Sequence, residues 1–407
     1  MKKIIFLFIL IGKMLFAQNE YVIKSLRIYQ TGNETSFPIS VNDSKITIDF
    51  DLKAKDTPNW EINFKLCDNN WQPYEDDSMI DYLTNTAHNL WFETLPFRGD
   101  RANYHYKGSF PNKEVKFPLA GKWMFFIRDV YNHENIYGEG KFYVVKNTEV
   151  NLRLSLQEKS LQGRDIVPAV FGEVWNMKVS VTMPDSLYAD KIERVEIIEN
   201  KKIADPIIIE RTYGNDERYY EIDAINSYSF FANNIHPGSA YRQVNLMDRT
   251  KYSPPKTNAH FEGVDVSHKF KPGVKDFFGG CKILNYRNEY SEYMDVVFDL
   301  RLPENYYQNI FLVGAFTDWD IYPEYEMVQK KDGLFSTTVE LKRGIYDYQY
   351  VVVDYKGDYI NKIDWIELEG NSWKTNREFH IFLFYKSDEF GEYDKIIGYR
   401  KIWSRSR

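Results

Sequence analysis

Side chains able to do acid–base, nucleophilic or metal chemistry are scattered along this chain and form no recognised motif. The sequence holds seven histidines and two cysteines. No two histidines have the HxH or HExxH spacing of a metal site, and neither Cys67 nor Cys281 has a His or Cys within a ligand interval. If the YHY run is a strand, His105 faces away from Tyr104 and Tyr106, as either a surface or a packed histidine. We therefore expect no metal site and no cofactor.

Sequence signatures of enzymes are absent as well. There is no GxSxG nucleophile elbow, no P-loop and no GxGxxG, and the pair Gly279-Gly280 predicts a turn. With 59 acidic residues, some pair of carboxylates can always be chosen as acid and base. Glycoside hydrolysis needs two carboxylates at a defined separation across a cleft, and the sequence singles out no such pair. We expect no catalytic residues and a protein that works by binding.

Tryptophan is the residue type best suited to such binding. It supplies a large contact area with few torsions to freeze, but it is also an ordinary core residue of β-sandwiches. KWMFFIRD places Trp123 on the apolar face of a strand, which predicts a core position. Trp71 in CDNNWQPYEDD and Trp365 in DWIELEG lie in polar, turn-rich settings. Together with Trp373 they are the candidate partner-binding residues, the alternative for each being a packed position.

Short strand-like runs must position these residues. Aromatic residues make up 17% of the chain, with 31 Tyr and 28 Phe, and such side chains suit half-buried pleated surfaces. KITIDFDL alternates apolar and polar residues, which predicts a strand with one wet face. Similar runs recur at sandwich spacing along the chain. The predicted fold class is all-β, a tandem array of immunoglobulin- or early-set-like β-sandwich domains.

Breaks between these runs divide the chain. In RTKYSPPKTNAHFEGVDVSHKFKPGV, Pro254-Pro255 excludes a helix and predicts a long loop or extended linker arm. The predicted segments are a signal peptide at 1–17, an N-terminal β-sandwich at 19–147, a middle β-sandwich with the extended arm at 148–275, and a C-terminal early-set-like β-sandwich at 276–407.

The N-terminal stretch MKKIIFLFILIGKMLFAQNE has the layout of a secretory signal. Lys2 and Lys3 precede an apolar run, and a cleavage site follows Ala17. The alternative is a short buried strand or helix. The apolar run is too short to span a membrane, and no later run reaches that length. We expect an exported, soluble protein with no direct membrane span.

Charge and cysteine content narrow the partners further. A formal net charge of -7 and a pI of about 5.7 lack the basic footprint that nucleic acid requires. Cys67 and Cys281 fall in different predicted domains, which favours two buried free thiols over a disulfide bridge. The residue directly after the predicted cleavage site is Gln18 and not Cys, so a lipid anchor is not expected there.

The segment IFLVGAFTDWD and the strands after it contain a spaced aromatic motif. This motif resembles the glycogen-binding type of early-set sandwich, whose signature is a G-x-F-x-x-W run after a hydrophobic strand, followed by a Gly, two alternate Tyr and an Asp. The matching residues are Gly314, Phe316, Trp319, Gly344, Tyr346, Tyr348 and Asp354. The resemblance implies a sandwich fold and, as an alternative function, glycan binding through Phe316 and Trp319. The same Trp packs the sandwich in modules that bind no sugar.

A second resemblance spans nearly the whole chain. FKLCDNNWQP, YHYKGSFPN, LAGKWMFFIRDVYN and EGKFYVVKN occur in the order found in the first domain of the type 9 secretion system plug protein family, which they resemble. KPGVKDFFGG, EYMDVVFDL and the terminal LEGNSWKTNREFHIFLFYKSDEFGEYDKIIGYRKIW resemble the end of the same family. LAGKW replaces a more common Ser-Gly-Asn-Tyr, and residues 70–100 match poorly, which indicates a diverged member.

The family resemblance implies a function without catalysis. It implies a periplasmic protein, monomeric within its complex, that binds the large outer-membrane translocon barrel of surface-secreting bacteria of the Bacteroidetes type. There it would close the periplasmic opening when no substrate is passing, since a wide barrel leaves a water-filled lumen. The alternative is a periplasmic carbohydrate-binding protein or an accessory module of a glycan-degrading system.

Overall fold

The structure is a computed structural model of the chain. About half of it is strand (54%) and very little is helix (3%), which confirms the all-β fold class. The predicted signal peptide and its cleavage after Ala17 lie outside the described residues. These residues are 21–75, 85–96, 101–148, 150–161, 172–212, 214–261, 263–267, 275–283, 291–306, 308–389 and 392–405.

Two facing sheets form the first sandwich. Its described strands are β1 (Val22–Gln30), β2 (Ile39–Val41), β3 (Ile46–Lys53), β4 (Trp60–Cys67), β5 (Thr86–Ala87), β6 (Phe92–Thr94), β7 (Tyr104–Phe110), β8 (Gly121–Asp129) and β9 (Ile136–Val145). One sheet has the order β1-β3-β7-β6 and the other β2-β9-β8-β4-β5. Neighbours are antiparallel except β2 and β9, which run parallel.

Both faces of β3 are buried, which differs from the wet face predicted for KITIDFDL. The polar residues Thr47, Asp49 and Asp51 are 1%, 3% and 1% exposed. Their face is covered because Arg27 pairs with Asp49 at 2.8 Å and Lys342, far along the chain, pairs with Asp51 at 2.5 Å. The apolar residues of the strand enter the first core with Trp123, as predicted for that side chain: Ile46, Ile48, Phe50 and Leu52.

The middle sandwich begins directly after the first. Its strands are β10 (Asn151–Ser160), β11 (Glu173–Thr182), β12 (Ile192–Glu199), β13 (Ile207–Glu210), β14 (Arg218–Ala224) and β15 (Ser227–Ile235), with a single 3-10 turn at Ala189–Lys191 before β12. Four of them form an antiparallel sheet in the order β10-β11-β15-β14. β12 and β13 start the facing sheet and leave one side of β12 to be filled.

The third sandwich contains part of the predicted linker arm. Its strands are β16 (Arg242–Asn245), β17 (Lys256–Asn258), β18 (Asp265–Val266), β19 (Cys281–Lys282), β20 (Tyr293–Arg301), β21 (Asn309–Gly314), β22 (Val328–Gln329), β23 (Leu334–Lys342), β24 (Ile345–Lys356) and β25 (Tyr359–Asp364), with a 3-10 turn at Pro323–Tyr325. β16 pairs with β24, and β17 and β18 pair with β20. Part of the predicted arm therefore forms short strands at the edge of this sheet. Strands of two or three residues are too short to show a periodic pattern in the sequence.

The end of the chain returns to the middle sandwich. β26 (Glu378–Lys386) pairs antiparallel with β12, and β27 (Asp394–Trp403) pairs with β26. The predicted domain at 276–407 thus contains two strands that complete the sheet of another sandwich. The physical reason is burial: Phe379, Ile381 and Leu383 close the middle core against Val195 and Ile197. Pairing over such a separation leaves no local sequence signal.

Each sandwich keeps its own apolar core, and further apolar clusters lie between sandwiches. The first–middle cluster contains Tyr143 and Phe382, and the layer outside β24 contains Tyr241 and Trp319. Both cysteines are buried and free, as predicted. Among the described residues, no helix combines the length and the apolar character needed to cross a bilayer.

Candidate functional site

Stacked rings join the first sandwich to the middle one. The ring of Phe37 stacks on His380 with centroids 3.9 Å apart, and Tyr143 stacks on Phe382 at 4.3 Å. All four side chains are buried. Close parallel stacking of buried rings contributes beyond area burial alone, so this interface is a packed one.

A buried ion pair sits at the edge of the same interface. Lys122 of β8 reaches Glu196 of β12 at 2.9 Å, and Arg194 approaches the same carboxylate oxygen at 2.5 Å. Burial lowers the pKa of Lys122, and the charge of Glu196 counters part of that shift. A buried pair of this kind is costly to break because removal of one partner leaves an uncompensated charge.

A polar hub joins the first sandwich to the third. The carboxylate of Asp51 accepts hydrogen bonds from Lys342 Nζ at 2.5 Å and Tyr293 OH at 2.7 Å, and it lies 2.8 Å from His105 Nδ1. Burial raises the pKa of Asp51, but the hydrogen bond with His105 and the charge of Lys342 outweigh it, so the pKa lies below its ordinary value. Of the two predicted alternatives for His105, the structure shows the packed one.

Arginine and lysine side chains join the middle sandwich to the third. Arg377, just before β26, is 1% exposed and lies 3.1 Å from Glu199 of β12, while its guanidinium lies 5.0 Å from the ring centroid of Tyr241 in the layer outside β24. The ammonium of Lys202 lies 4.0 Å from the ring centroid of Trp365, a cation–π contact. Since all three pairs of sandwiches are in contact, they form one closed assembly.

The charged groups between the sandwiches stabilise the assembly. The buried charged groups of the interfaces are paired with one another, as charges used for structure are. Within the described part of the chain, no group of three or more His, Cys, Asp or Glu side chains is placed to hold a metal ion. Exposed side chains and the clefts between sandwiches are the remaining surfaces for functional contacts.

Trp71, a predicted partner-binding residue, packs within the molecule. It is half-buried and its indole meets Tyr143 edge-to-face at 5.2 Å. Lys122 and Lys141 place their ammonium groups 4.9 Å and 5.6 Å from its ring centroid. The indole faces are thus occupied by first–middle interface residues.

Trp365 and Trp373 are also half-buried and engaged internally. The indole nitrogen of Trp365 donates to Asp205 at 2.5 Å, across the middle–third interface. That of Trp373 donates to the carbonyl of Val174 at 3.0 Å, and its ring packs on the middle core. The three predicted tryptophans do not form a common site. Each one makes a different contact inside the molecule.

Of the two predicted sugar-binding residues, one is buried and one lines a cleft. Trp319 is 1% exposed, and its indole nitrogen donates to the carbonyl of Gly279 at 2.7 Å. Gly279 has a φ of +84°, and an added Cβ there would lie 2.8 Å from the indole nitrogen of Trp319. The buried ring presents no face to a sugar. Phe316 is half-buried beside Tyr325, with ring centroids 5.9 Å apart.

The most exposed aromatic side chains of the first sandwich are Trp91, at 82%, and Tyr131, at 86%. Their loops converge on the buried carboxylate of Glu61, which lies 3.1 Å from His88 Nδ1 and 3.5 Å from His133 Nε2. The two loops that carry these rings therefore meet at one carboxylate. The signal that could have identified Trp91 is the same turn-rich setting as that of Trp71, since Asn89 just before it has a φ of +54°.

A cleft of about 700 Å³ lies between the first and third sandwiches. One wall is β1, and the other is formed by the loop that carries Phe316, Tyr322 and Tyr325. A smaller cavity of about 190 Å³ adjoins it where all three sandwiches meet. The two cavities share Glu139, Asp318 and Tyr322 in their linings.

Comparison with known proteins identifies the first sandwich and the overall fold. Residues 23–146 match the family described as type 9 secretion system plug protein 1st domain. The crystal structure of a hypothetical protein from Parabacteroides merdae ATCC 43184 is similar over 94% of this chain and 97% of that chain, with a TM-score of 0.74 and 16% identity. At that identity the likeness shows the fold alone. No curated protein matches the chain.

Proposed function

Because the chain belongs, through its first sandwich, to the type 9 secretion system plug protein family, we propose that it closes a translocon barrel. In this proposal it binds the periplasmic opening of the large outer-membrane barrel of that secretion system and seals it when no substrate is passing. The family match is the observation that carries the proposal. A plug-type role in type 9 secretion is the family's role; the sealing of the barrel is the step we add.

The construction of the molecule supports a plugging role. A plug has to keep its shape across a wide, water-filled opening. Three sandwiches that contact one another pairwise through buried rings and ion pairs resist relative motion better than three domains on flexible linkers. Gating then requires only that the whole body binds the closed barrel more tightly than the barrel in transport.

We place the barrel contact at the exposed aromatic end of the first sandwich. Trp91 and Tyr131 expose nearly whole rings from two neighbouring loops, and aromatic anchors of this kind dominate protein interfaces. Trp71, Trp365 and Trp373 remain secondary candidates, since internal contacts already occupy part of each indole. The protein acts as a monomer in the periplasm and reaches it by the N-terminal signal.

Co-purification from native membranes tests the proposal. The tagged chain, solubilised with the membranes of its own bacterium, should carry an outer-membrane barrel protein with it in near-equal amount. The double variant Trp91→Ala/Tyr131→Ala should lose the barrel, whereas Tyr359→Ala, a matched change at a 58% exposed ring of the third sandwich, should retain it. If the unaltered chain never brings down a barrel, the proposal fails; if the double variant retains the barrel as the unaltered chain does, the contact lies elsewhere.

The glycan-binding alternative receives less support. Its central residue, Trp319, is buried in an apolar cluster between sandwiches and its polar atom is already bonded. Sugar stacking on this residue would require the ring to leave that cluster. We therefore retain the plug function as the single proposal.

A further inference from the structure

We propose that the cleft between the first and third sandwiches binds an extended polypeptide segment that carries lysine or arginine side chains. The segment would lie along the open edge of β1 and present its basic groups to the acidic rim of the cleft. This site is separate from the aromatic end formed by Trp91 and Tyr131, and it does not depend on the sealing of a barrel.

The size and course of the cleft suit an extended chain. Its volume of about 700 Å³ falls in the range of protein binding sites, roughly 300–1,000 Å³. Val22 to Arg27, six consecutive residues of β1, all line it. Alternate residues of a strand face opposite sides, so an unbroken lining means that the cleft follows the edge of the strand. At about 3.3 Å per residue, that edge extends for roughly 20 Å.

The edge of β1 facing the cleft has no strand partner in the described chain. β1 is the terminal strand of its sheet and pairs with β3 alone. Such an edge presents unpaired N–H and C=O groups, which extended peptides can use by strand addition. A bulge at Ser25, which has a φ of +50°, interrupts the register between Lys24 and Arg27. The bulge shortens each regular run, so side-chain contacts must supply much of the selectivity.

The charges at the cleft favour a basic occupant. Its own cations are neutralised: Lys24 lies 2.5 Å from Glu340, and Arg27 lies 2.7 Å from Glu34. The carboxylates of Glu139, Asp318 and Glu324 also line the cleft. These three are exposed, and none is within ion-pair distance of a basic side chain among the residues that the structure describes. Lys201 and Lys141 line the adjoining cavity, and their charges act on Asp318 from beyond ion-pair distance.

Aromatic rings stand beside these carboxylates. Tyr325 lies between Phe316 and Tyr322, with ring centroids 5.9 Å and 6.3 Å away. Burial and the nearby charges of Asp320 and Asp318 together raise the pKa of the Tyr322 hydroxyl to about 12. A Lys or Arg stem can pack along such rings while its charged group meets a carboxylate.

These features together distinguish a peptide from a sugar. An oligosaccharide could stack on the rings and bond to the carboxylates, but it would make no ladder with β1. A basic extended peptide uses the strand edge, the rings and the unneutralised carboxylates at once. The peptide is therefore the occupant that the cleft fits best.

Binding of a defined peptide to the full chain tests the inference. The probe is a fluorescent eight-residue peptide of alternating Val and Lys, and the readout is fluorescence anisotropy. We expect saturable binding that Glu139→Gln/Asp318→Asn/Glu324→Gln weakens by about tenfold or more, since the lysines of the peptide lose their carboxylate partners. The matched control Glu134→Gln/Glu221→Gln/Asp358→Asn makes the same change in net charge at exposed sites outside the cleft and should bind normally.

A second pair of probes tests the strand edge. Two further peptides have the same sequence and carry backbone N-methyl groups on alternate residues. One is methylated on the valines and the other on the lysines, so that the N–H groups of one edge are blocked in each peptide. The peptide whose pairing edge is blocked should lose binding, and the other should keep it. Equal binding of both, or an equal loss in the two charge variants, would overturn the inference. So would equal binding of a control peptide in which Glu replaces each Lys, or binding of oligosaccharides in place of peptide. Barrel co-purification is a separate measurement, so failure of either result leaves the other standing.

Discussion

Asp51 of the first sandwich and Lys342 of the third form a buried ion pair, with Nζ 2.5 Å from the carboxylate and both side chains 2% exposed. The two residues are 291 positions apart in the chain. Tyr293 and His105 complete the shell around the carboxylate. This pair holds two sandwiches in register, because neither charge can be left without its partner at such burial.

Replacement of Lys342 should therefore weaken the whole assembly. Lys342→Met leaves the buried Asp51 carboxylate without its cation and should lower the free energy of unfolding by about 3–5 kcal/mol. Urea denaturation followed by tryptophan fluorescence measures the loss. Lys24→Met, which breaks a more exposed pair with Glu340 at the same interface, should cost only about 0–1 kcal/mol. Equal losses in the two variants would show that burial does not set the strength of the pair.

Acid should destabilise the third sandwich through Asp265. This carboxylate accepts hydrogen bonds from Arg242, Tyr348 and Tyr350, each at 2.8 Å. Burial raises its pKa, but the hydrogen bond with His260 and the charge of Arg242 outweigh burial and lower the pKa from 3.8 to about 2. Because the folded-state pKa is depressed, the stabilisation is present above pH 3.8 and is lost as pH falls towards about 2.

The variant Asp265→Asn should lose that acid dependence. Its free energy of unfolding should be lower at neutral pH by about 2 kcal/mol, and the difference from the unaltered chain should shrink between pH values of roughly 4 and 2. Denaturation curves at a series of pH values measure this. The exposed turn substitution Asp358→Asn serves as the control. Parallel pH curves for Asp265→Asn and the unaltered chain would contradict the assignment.

Trp319 should matter for stability and not for ligand binding. Trp319→Ala removes a ring that is 1% exposed and should cost about 3–5 kcal/mol through the cavity it leaves. Trp91→Ala, at an 82% exposed ring, should change stability by no more than about 0.5 kcal/mol. Thermal or urea denaturation compares the two. A folded Trp319→Ala protein of unchanged stability that loses saturable glycan binding would restore the sugar-binding alternative.

The end of the chain should be required by the middle sandwich. A chain that stops at Arg377 lacks β26 and β27, so β12 loses its sheet neighbour and the core loses Phe379 and Leu383. Hydrogen exchange of β11 and β15 should then rise to the level of an unfolded segment. A chain that stops at Arg405 should keep full protection. Persistent protection in the shorter chain would mean that the middle sandwich does not need the returning strands.

Local patterns made parts of this structure predictable. The alternation in KITIDFDL predicted β3, the apolar face of KWMFFIRD predicted a buried Trp123, and the separation of Cys67 and Cys281 predicted free thiols. Each of these depends on neighbours within a few residues, or on distance along the chain. The candidate binding residues were less predictable, since a turn-rich setting does not distinguish a packed tryptophan such as Trp71 from an exposed one such as Trp91.

The all-β class, the strands with two-residue periodicity and the resemblance of the first domain to the plug family were all readable from sequence patterns. Tertiary structure alone decided that the polar face of β3 is buried, that the last two strands belong to the middle sandwich, and that a cleft opens along β1. The two groups of features differ in how far apart along the chain the residues that set them lie. Strand periodicity is a property of adjacent residues, whereas the exposure of a face depends on which remote segment covers it, as Lys342 covers Asp51.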